Sequence, residues 1–213
     1  IGCNHNGDVE TAFKMIDKVV EAGCDAAKFQ VFQASKLASK AAASAEYQKK
    51  AMGRDESQFD MLKKLELSAD EIWVIKKYCE KKSIEFFATP FDTDSVDLLE
   101  EMSVARYKIG SGDLTDKMLL EKIGSTGKPV ILSTGMSTYE EIDESLNWLS
   151  NSSSITLLHC TSNYPTQFQD VNMLTMDALR NRYNLPVGYS DHTIGLEIPI
   201  MAVARGAVLI EDR

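Results

Sequence analysis

Apolar residues along the chain gather into short runs separated by longer amphipathic stretches. The runs are IGCN at 1–4, AAKFQVF at 26–32, IEFFATPF at 84–91, RYKIGSG at 106–112, PVILSTG at 129–135, ITLLHCTS at 155–162, LPVGYSDH at 185–192 and AVLI at 207–210. Each has the length of a strand, carries β-branched or aromatic residues, and lacks the polar alternation of a strand with one wet face. Continuous apolar strands are those covered on both sides, as in parallel sheets. The stretches between them predict helices. VETAFKMIDKVVEAG sets Ala12, Met15, Ile16 and Val19 on one face and stops at Gly23, a residue suited to a helix C-terminus. Ser68 with Glu71, and Thr138 with Glu141, have capping-box spacing. Thr93 or Asp94, Asp116 and Thr193 are further predicted caps.

Strand and helix therefore alternate along the whole chain. One longer insertion, over 33–66, has weak periodicity and reads as a lid or excursion rather than a second domain. Eight βα-type strands predict a single α/β domain over residues 1–213, a TIM (β/α)8 barrel lacking its last helix, because the sequence stops just after the eighth run. The open doubly wound sheet needs a glycine-rich turn after its first strand, and NHNGD offers one glycine.

Composition narrows the class. The chain has 213 residues, 44% of them hydrophobic, with 12 glycines, which excludes a disordered chain, a collagen-like fibre and a coiled-coil rod. Lys and Arg number 23 against 32 Asp and Glu, a net charge of −9 that repels phosphate backbones and acidic lipid, so no nucleic-acid partner is expected. No apolar run approaches the roughly 18 residues of a membrane span. Cys3, Cys24, Cys79 and Cys160 are scattered and form no CxxC pair. With no secretory pattern at the start, this predicts reduced thiols in a cytoplasmic protein.

In a TIM barrel the chemistry projects from the C-terminal strand ends. Here those ends turn polar: Asn4-His5-Asn6, Thr89 to Asp92, Ser133-Thr134, His159 to Tyr164, and Ser190-Asp191-His192. Lys28 and Lys108 stand out because each sits inside an otherwise apolar run, and lysine is rarely buried without a partner. A lysine at a strand end can also reach out to solvent. Two of them together with Ser111 and Ser133 describe an anion site, point charges supported by hydroxyl donors. His159 lies earlier in its run and reads as an oriented hydrogen-bonder. His159 and His192 do not form a spaced metal motif.

With these residues assembled, GCNHNGD, AAKFQ, AEYQKK, ATPFD, KIGSGDL, KPVILSTGMST, LLHCTSNYPT and VGYSDHTIG together resemble the sialic acid synthase family, over essentially the whole chain. NHNGD together with AEYQKK and ESQ is more similar to its neuraminic and legionaminic branches than to the pseudaminic one. The resemblance implies condensation of phosphoenolpyruvate with an N-acetylamino sugar, N-acetylmannosamine or a related 2,4-diacetamido sugar, to a nine-carbon 2-keto acid with release of phosphate. It implies a divalent ion, Mn2+ or Mg2+, with His192 as one ligand. It carries phosphoenolpyruvate binding to Lys28, Thr89, Lys108, Ser111, Ser133 and Ser162, sugar contacts to Gln30, Asp113 and Tyr164, and catalysis to Lys28, Lys108 and Asp113. It also implies a homodimer.

The sequence departs from that family in four places. The family's glutamate falls just before Ile1, and its second metal histidine falls where Glu211 is followed by Asp212-Arg213. Asp113 stands where the family usually has glutamate. The C-terminal antifreeze-like domain, with an arginine that contacts the sugar, is missing. The expectation is a segment truncated at both ends and inactive alone. The alternative is a catalytically inactive barrel that retains ligand binding or a scaffold role.

Overall fold

The computed structural model describes residues 1–38 and 57–212. The centre of the expected lid, 39–56, lies outside the described residues. The chain divides into two compact units, Ile1–Val104 and Ala105–Arg213.

In the first unit, α1 (Val9–Glu21) precedes β1 (Ala26–Val31), and α2 (Ala34–Leu37) and α3 (Gln58–Leu65) flank the undescribed part of the insertion. Then come α4 (Ala69–Lys81), β2 (Glu85–Pro90) and α5 (Thr93–Glu101). Strands β1 and β2 pair in parallel, with Lys28 opposite Phe87 and Gln30 opposite Thr89. The expected first strand at IGCN is reduced to a single parallel bridge from Gly2 to Phe29. Its backbone cannot continue extended: Gly2 takes φ +56, and the amides of Asn4 and Asn6 turn back onto the carbonyls of Ile1 and Cys3. Helix α1 packs on α4, and Ala12 and Ile16 of the one and Ile72, Ile75 and Cys79 of the other are buried. At the rim of that contact the Phe13 and Tyr78 rings stack with centroids 4.1 Å apart. Ser68 and Glu71 close the capping box that their spacing predicts. Helix α5 is capped by Asp92, not by Thr93 or Asp94: its carboxylate accepts the Ser95 amide at 2.9 Å. A carboxylate one residue earlier reaches the exposed amides of the first turn that both expected caps would themselves occupy.

In the second unit, five strands pair in parallel and in chain order: β3 (Tyr107–Ile109), β4 (Val130–Ser133), β5 (Ile155–Cys160), β6 (Val187–Ser190) and β7 (Ile210–Glu211). Between them run α6 (Lys117–Ser125), α7 (Tyr139–Trp148), α8 (Leu174–Tyr183) and α9 (Glu197–Ala204). Asp116 caps α6, and Thr138 with Glu141 forms the expected box on α7. Thr193 is not a cap. Its amide and hydroxyl are held by the Asp191 carboxylate, which folds the loop back, and α9 starts four residues later. The close approach of β6 to β7 needs Gly188, where a Cβ would lie 2.3 Å from the Leu209 carbonyl oxygen.

Both units are α/β with parallel pairing, as the alternation of runs predicts. All four cysteines are free thiols. No helix among the described residues is long and apolar enough to cross a membrane.

Candidate active site

Strand register selects which side chains meet. In the second unit, Lys108 pairs with Ile131, two residues before Ser133, and Cys160 pairs with Ser190, which in turn pairs with Glu211. Paired residues share a face and so do residues two apart, so Lys108, Ser133, Cys160, Ser190 and Glu211 lie on one side of these strands. The contacts agree. Lys108 is 4% exposed, and its ammonium donates to Ser133 Oγ at 2.7 Å and to the Ile109 carbonyl at 2.9 Å. Glu211 Oε2 lies 3.3 Å from the same nitrogen. A buried ammonium without partners costs several kcal/mol, and here a carboxylate, a hydroxyl and a carbonyl surround it.

Beside this cluster the chain leaving β4 passes close to two more serines. The Gly135 amide donates to Ser111 Oγ at 2.9 Å. A Cβ on Gly135 would lie 2.6 Å from Ser162 Oγ and 2.9 Å from Ser111 Oγ. Ser162 Oγ is buried and has no hydrogen-bond partner among the described residues. Buried hydroxyls nearly always find a partner, so this orphan marks a position for a ligand oxygen. A fixed ammonium, three serines and a glycine that leaves room between two of them form a cradle for an oxyanion.

Asp113 ends the short 3-10 turn Ser111–Asp113. Burial and the neighbouring Asp116 push its carboxyl up to about 6, against a smaller opposing pull from Lys108. The folded chain therefore takes up a proton between about pH 4 and 6 and loses stability as pH rises through that window. Asp113→Asn is expected to remove this dependence and to raise stability at pH 7 by roughly 2 to 3 kcal/mol at most. Thermal unfolding of both proteins at pH 4 and pH 7 reads the difference.

His192 follows β6 and is buried. Its Nδ1 lies 2.7 Å from the Thr161 carbonyl oxygen, which can only accept, so Nδ1 carries the proton. In the neutral ring Nε2 then keeps its lone pair and accepts the Tyr164 hydroxyl at 2.6 Å. A ring nitrogen fixed as donor to a carbonyl leaves the other poised as a metal ligand. Among the described residues, however, no three His, Cys, Asp or Glu side chains gather as a metal-holding group. The residues fit one coordination position of the implied ion. His159 has the bland role expected of it: Nε2 donates to the Val171 carbonyl at 2.6 Å, and burial lowers its basicity.

In the first unit, the register places Lys28 and Gln30 of β1 on one face with Thr89 of β2. Lys28 is half-buried, and the Cys3 thiol donates to Gln30 Oε1 at 2.7 Å. The fold thus gathers Lys28, Gln30 and Thr89 within the first unit, and Lys108, Ser111, Asp113, Ser133, Ser162, Tyr164 and His192 within the second. Sequence reasoning passed over Glu211 and Gly135. The acidic end of the AVLI run was the available signal for Glu211. Nothing in the spacing of a single glycine signals Gly135.

A family model described as the NeuB family matches residues 15–212. The chain is 45% identical over 214 residues to N,N'-diacetyllegionaminic acid synthase of Campylobacter jejuni, covering 99% of this chain and 64% of that protein. It is 34% identical over 215 residues to N-acetylneuraminate-9-phosphate synthase of Drosophila melanogaster, covering 99% of this chain and 57% of that protein. The crystal structure of N-acetylneuraminic acid synthetase from Leptospira borgpetersenii, in complex with citrate, superposes with a TM-score of 0.85 at 36% identity, covering 99% of this chain and 69% of that one. The chain thus spans about six tenths of the length of the curated relatives it matches.

Proposed function

The chain belongs to the NeuB family, and from that premise we propose that the protein condenses phosphoenolpyruvate with an N-acetylamino sugar, giving a nine-carbon 2-keto sugar acid and inorganic phosphate. The observation that carries this reading is the buried oxyanion cradle of Lys108, Ser111, Ser133, Gly135 and Ser162. Phosphoenolpyruvate brings two anionic groups, phosphate and carboxylate, and such a cradle suits either. The roles that the sequence implies for Lys28 and Thr89 toward phosphoenolpyruvate, and for Gln30 and Tyr164 toward the sugar, belong to the same proposal.

In the proposed reaction, C3 of phosphoenolpyruvate bonds to the aldehyde carbon of the open-chain sugar, and the aldehyde oxygen takes a proton. Water adds at C2, and the bond from C2 to the phosphate oxygen then breaks. Lys108 and the serines hold the phosphate as its charge grows. Asp113, poised near neutrality as both acid and carboxylate, is proposed to supply the proton to the new hydroxyl. Tyr164 is proposed to orient the sugar beside His192. A divalent ion, manganese or magnesium, is part of the proposal, with His192 Nε2 as its ligand among the described residues. Bound there it would polarise the sugar carbonyl. The greater identity to the legionaminic enzyme, 45%, than to the N-acetylneuraminic acid synthetase, 36%, supports a 2,4-diacetamido sugar over N-acetylmannosamine. A cytoplasmic homodimer is the proposed setting.

The test is phosphate release from phosphoenolpyruvate by the whole enzyme with each sugar in turn: release should require a sugar and favour the 2,4-diacetamido compound. His192→Ala is expected to cut turnover at least a hundredfold, about 2.7 kcal/mol, and to leave calorimetric phosphoenolpyruvate binding within a few-fold of the parent. Full turnover in that variant, across a manganese titration, would remove His192 from the reaction.

A further inference from the structure

We infer that Glu211 is the internal counter-ion of the oxyanion cradle: it balances Lys108 when no anion is bound, yields that contact to an incoming phosphate oxygen, and keeps the affinity low enough for phosphate to leave. This rests on reading the Lys108 cluster as an anion site.

Both charges are withdrawn from water, with side chains 5% and 17% exposed and the ammonium 3.3 Å from Oε2. An ammonium has three donors. One goes to the Ile109 carbonyl, part of the same strand and unable to move away. Another goes to Ser133, whose hydroxyl can accept from the lysine and still turn its own proton toward an anion. The carboxylate only accepts and carries the same charge as the ligand, so of these partners it is the one that must give way.

It cannot go far. The Asp191 amide donates to the Glu211 carbonyl at 2.8 Å, and Ser190 pairs with Glu211 across β6 and β7. The backbone is held, and only side-chain rotation is left. A bound anion and the displaced carboxylate therefore remain neighbours in a poorly screened place, where like charges repel strongly. That repulsion weakens anion binding and favours release of product phosphate. Glu211 is thus a positioning residue that acts through Lys108.

The experiment is calorimetric titration of the whole protein with inorganic phosphate, in the parent and in Glu211→Gln, Glu211→Met, Glu211→Asp and Lys108→Met. Removing the negative charge should tighten phosphate binding roughly tenfold in the Gln and Met variants. The Asp variant, with its carboxylate drawn back by one methylene, should shift the same way to a smaller extent. Phosphate should also become a stronger product inhibitor. A damaged fold loses affinity and cannot mimic this gain. If Lys108→Met weakens phosphate binding while the Glu211 variants bind no more tightly than the parent, the counter-ion role is overturned and the anion site stands. If Lys108→Met binds phosphate as the parent does, the anion-site reading fails first and the inference falls with it.

Discussion

Lys108→Met is expected to weaken phosphoenolpyruvate binding about ten- to a hundredfold, because a charge-assisted contact to an oxyanion is worth roughly 1.5 to 3 kcal/mol. The same substitution should also destabilise the protein. It leaves Glu211 buried beside a thioether, and removing one partner of a buried ion pair typically costs about 3 to 5 kcal/mol. The two effects separate cleanly. Adding Glu211→Gln to Lys108→Met should restore much of the thermal stability by removing the stranded charge, while binding stays weak. Calorimetric binding and thermal unfolding of the single and double variants measure both. A Lys108→Met protein with parental affinity would mean that the ammonium, for all its burial, faces no ligand.

Gly135→Ala is expected to be as damaging with only one carbon added. Its Cβ would lie 2.6 Å from Ser162 Oγ, 2.9 Å from Ser111 Oγ and 3.0 Å from the Cys160 carbonyl oxygen. Real Cβ atoms do not come as close as the two serine oxygens, so the serines must shift out of the cradle, and the tight contact with the Cys160 carbonyl is to backbone that resists moving. Losing preorganised donors of this kind costs about a hundredfold or more in kcat/KM. Gly112→Ala is the control, since its Cβ would meet nothing within 4 Å. It should retain near-parental kinetics. Steady-state assays on the two variants make the comparison.

How far these residues were legible in the sequence varies with the physics behind each. Parallel strands covered on both sides leave continuous apolar runs, so the runs from AAKFQVF to AVLI located the described strands to within a few residues. Capping boxes are local and read directly, as at Ser68 and Thr138. Thr193 misled because a side chain that can cap a helix can equally be captured by an Asx turn, and only the position of Asp191 decides between them. IGCN misled because four residues of strand-like composition carry no sign of a glycine at positive φ. Within the site, Lys108 was legible as a charge inside an apolar run. The acidic end of the AVLI run signalled Glu211, but its pairing with Lys108 was not legible, because a long-range ion pair has no spacing rule. The orphan state of Ser162 Oγ and the tautomer of His192 depend on neighbours brought in by register, and one-dimensional pattern does not contain them.

The reaction is tested most directly by following phosphoenolpyruvate labelled with 18O in its bridging oxygen, incubated with the whole enzyme, manganese and the 2,4-diacetamido sugar. The expected result is a nine-carbon 2-keto acid formed in step with inorganic phosphate that retains the label, since the bond broken lies between C2 and oxygen. Phosphate without the label, or release that proceeds equally without the sugar, would contradict it.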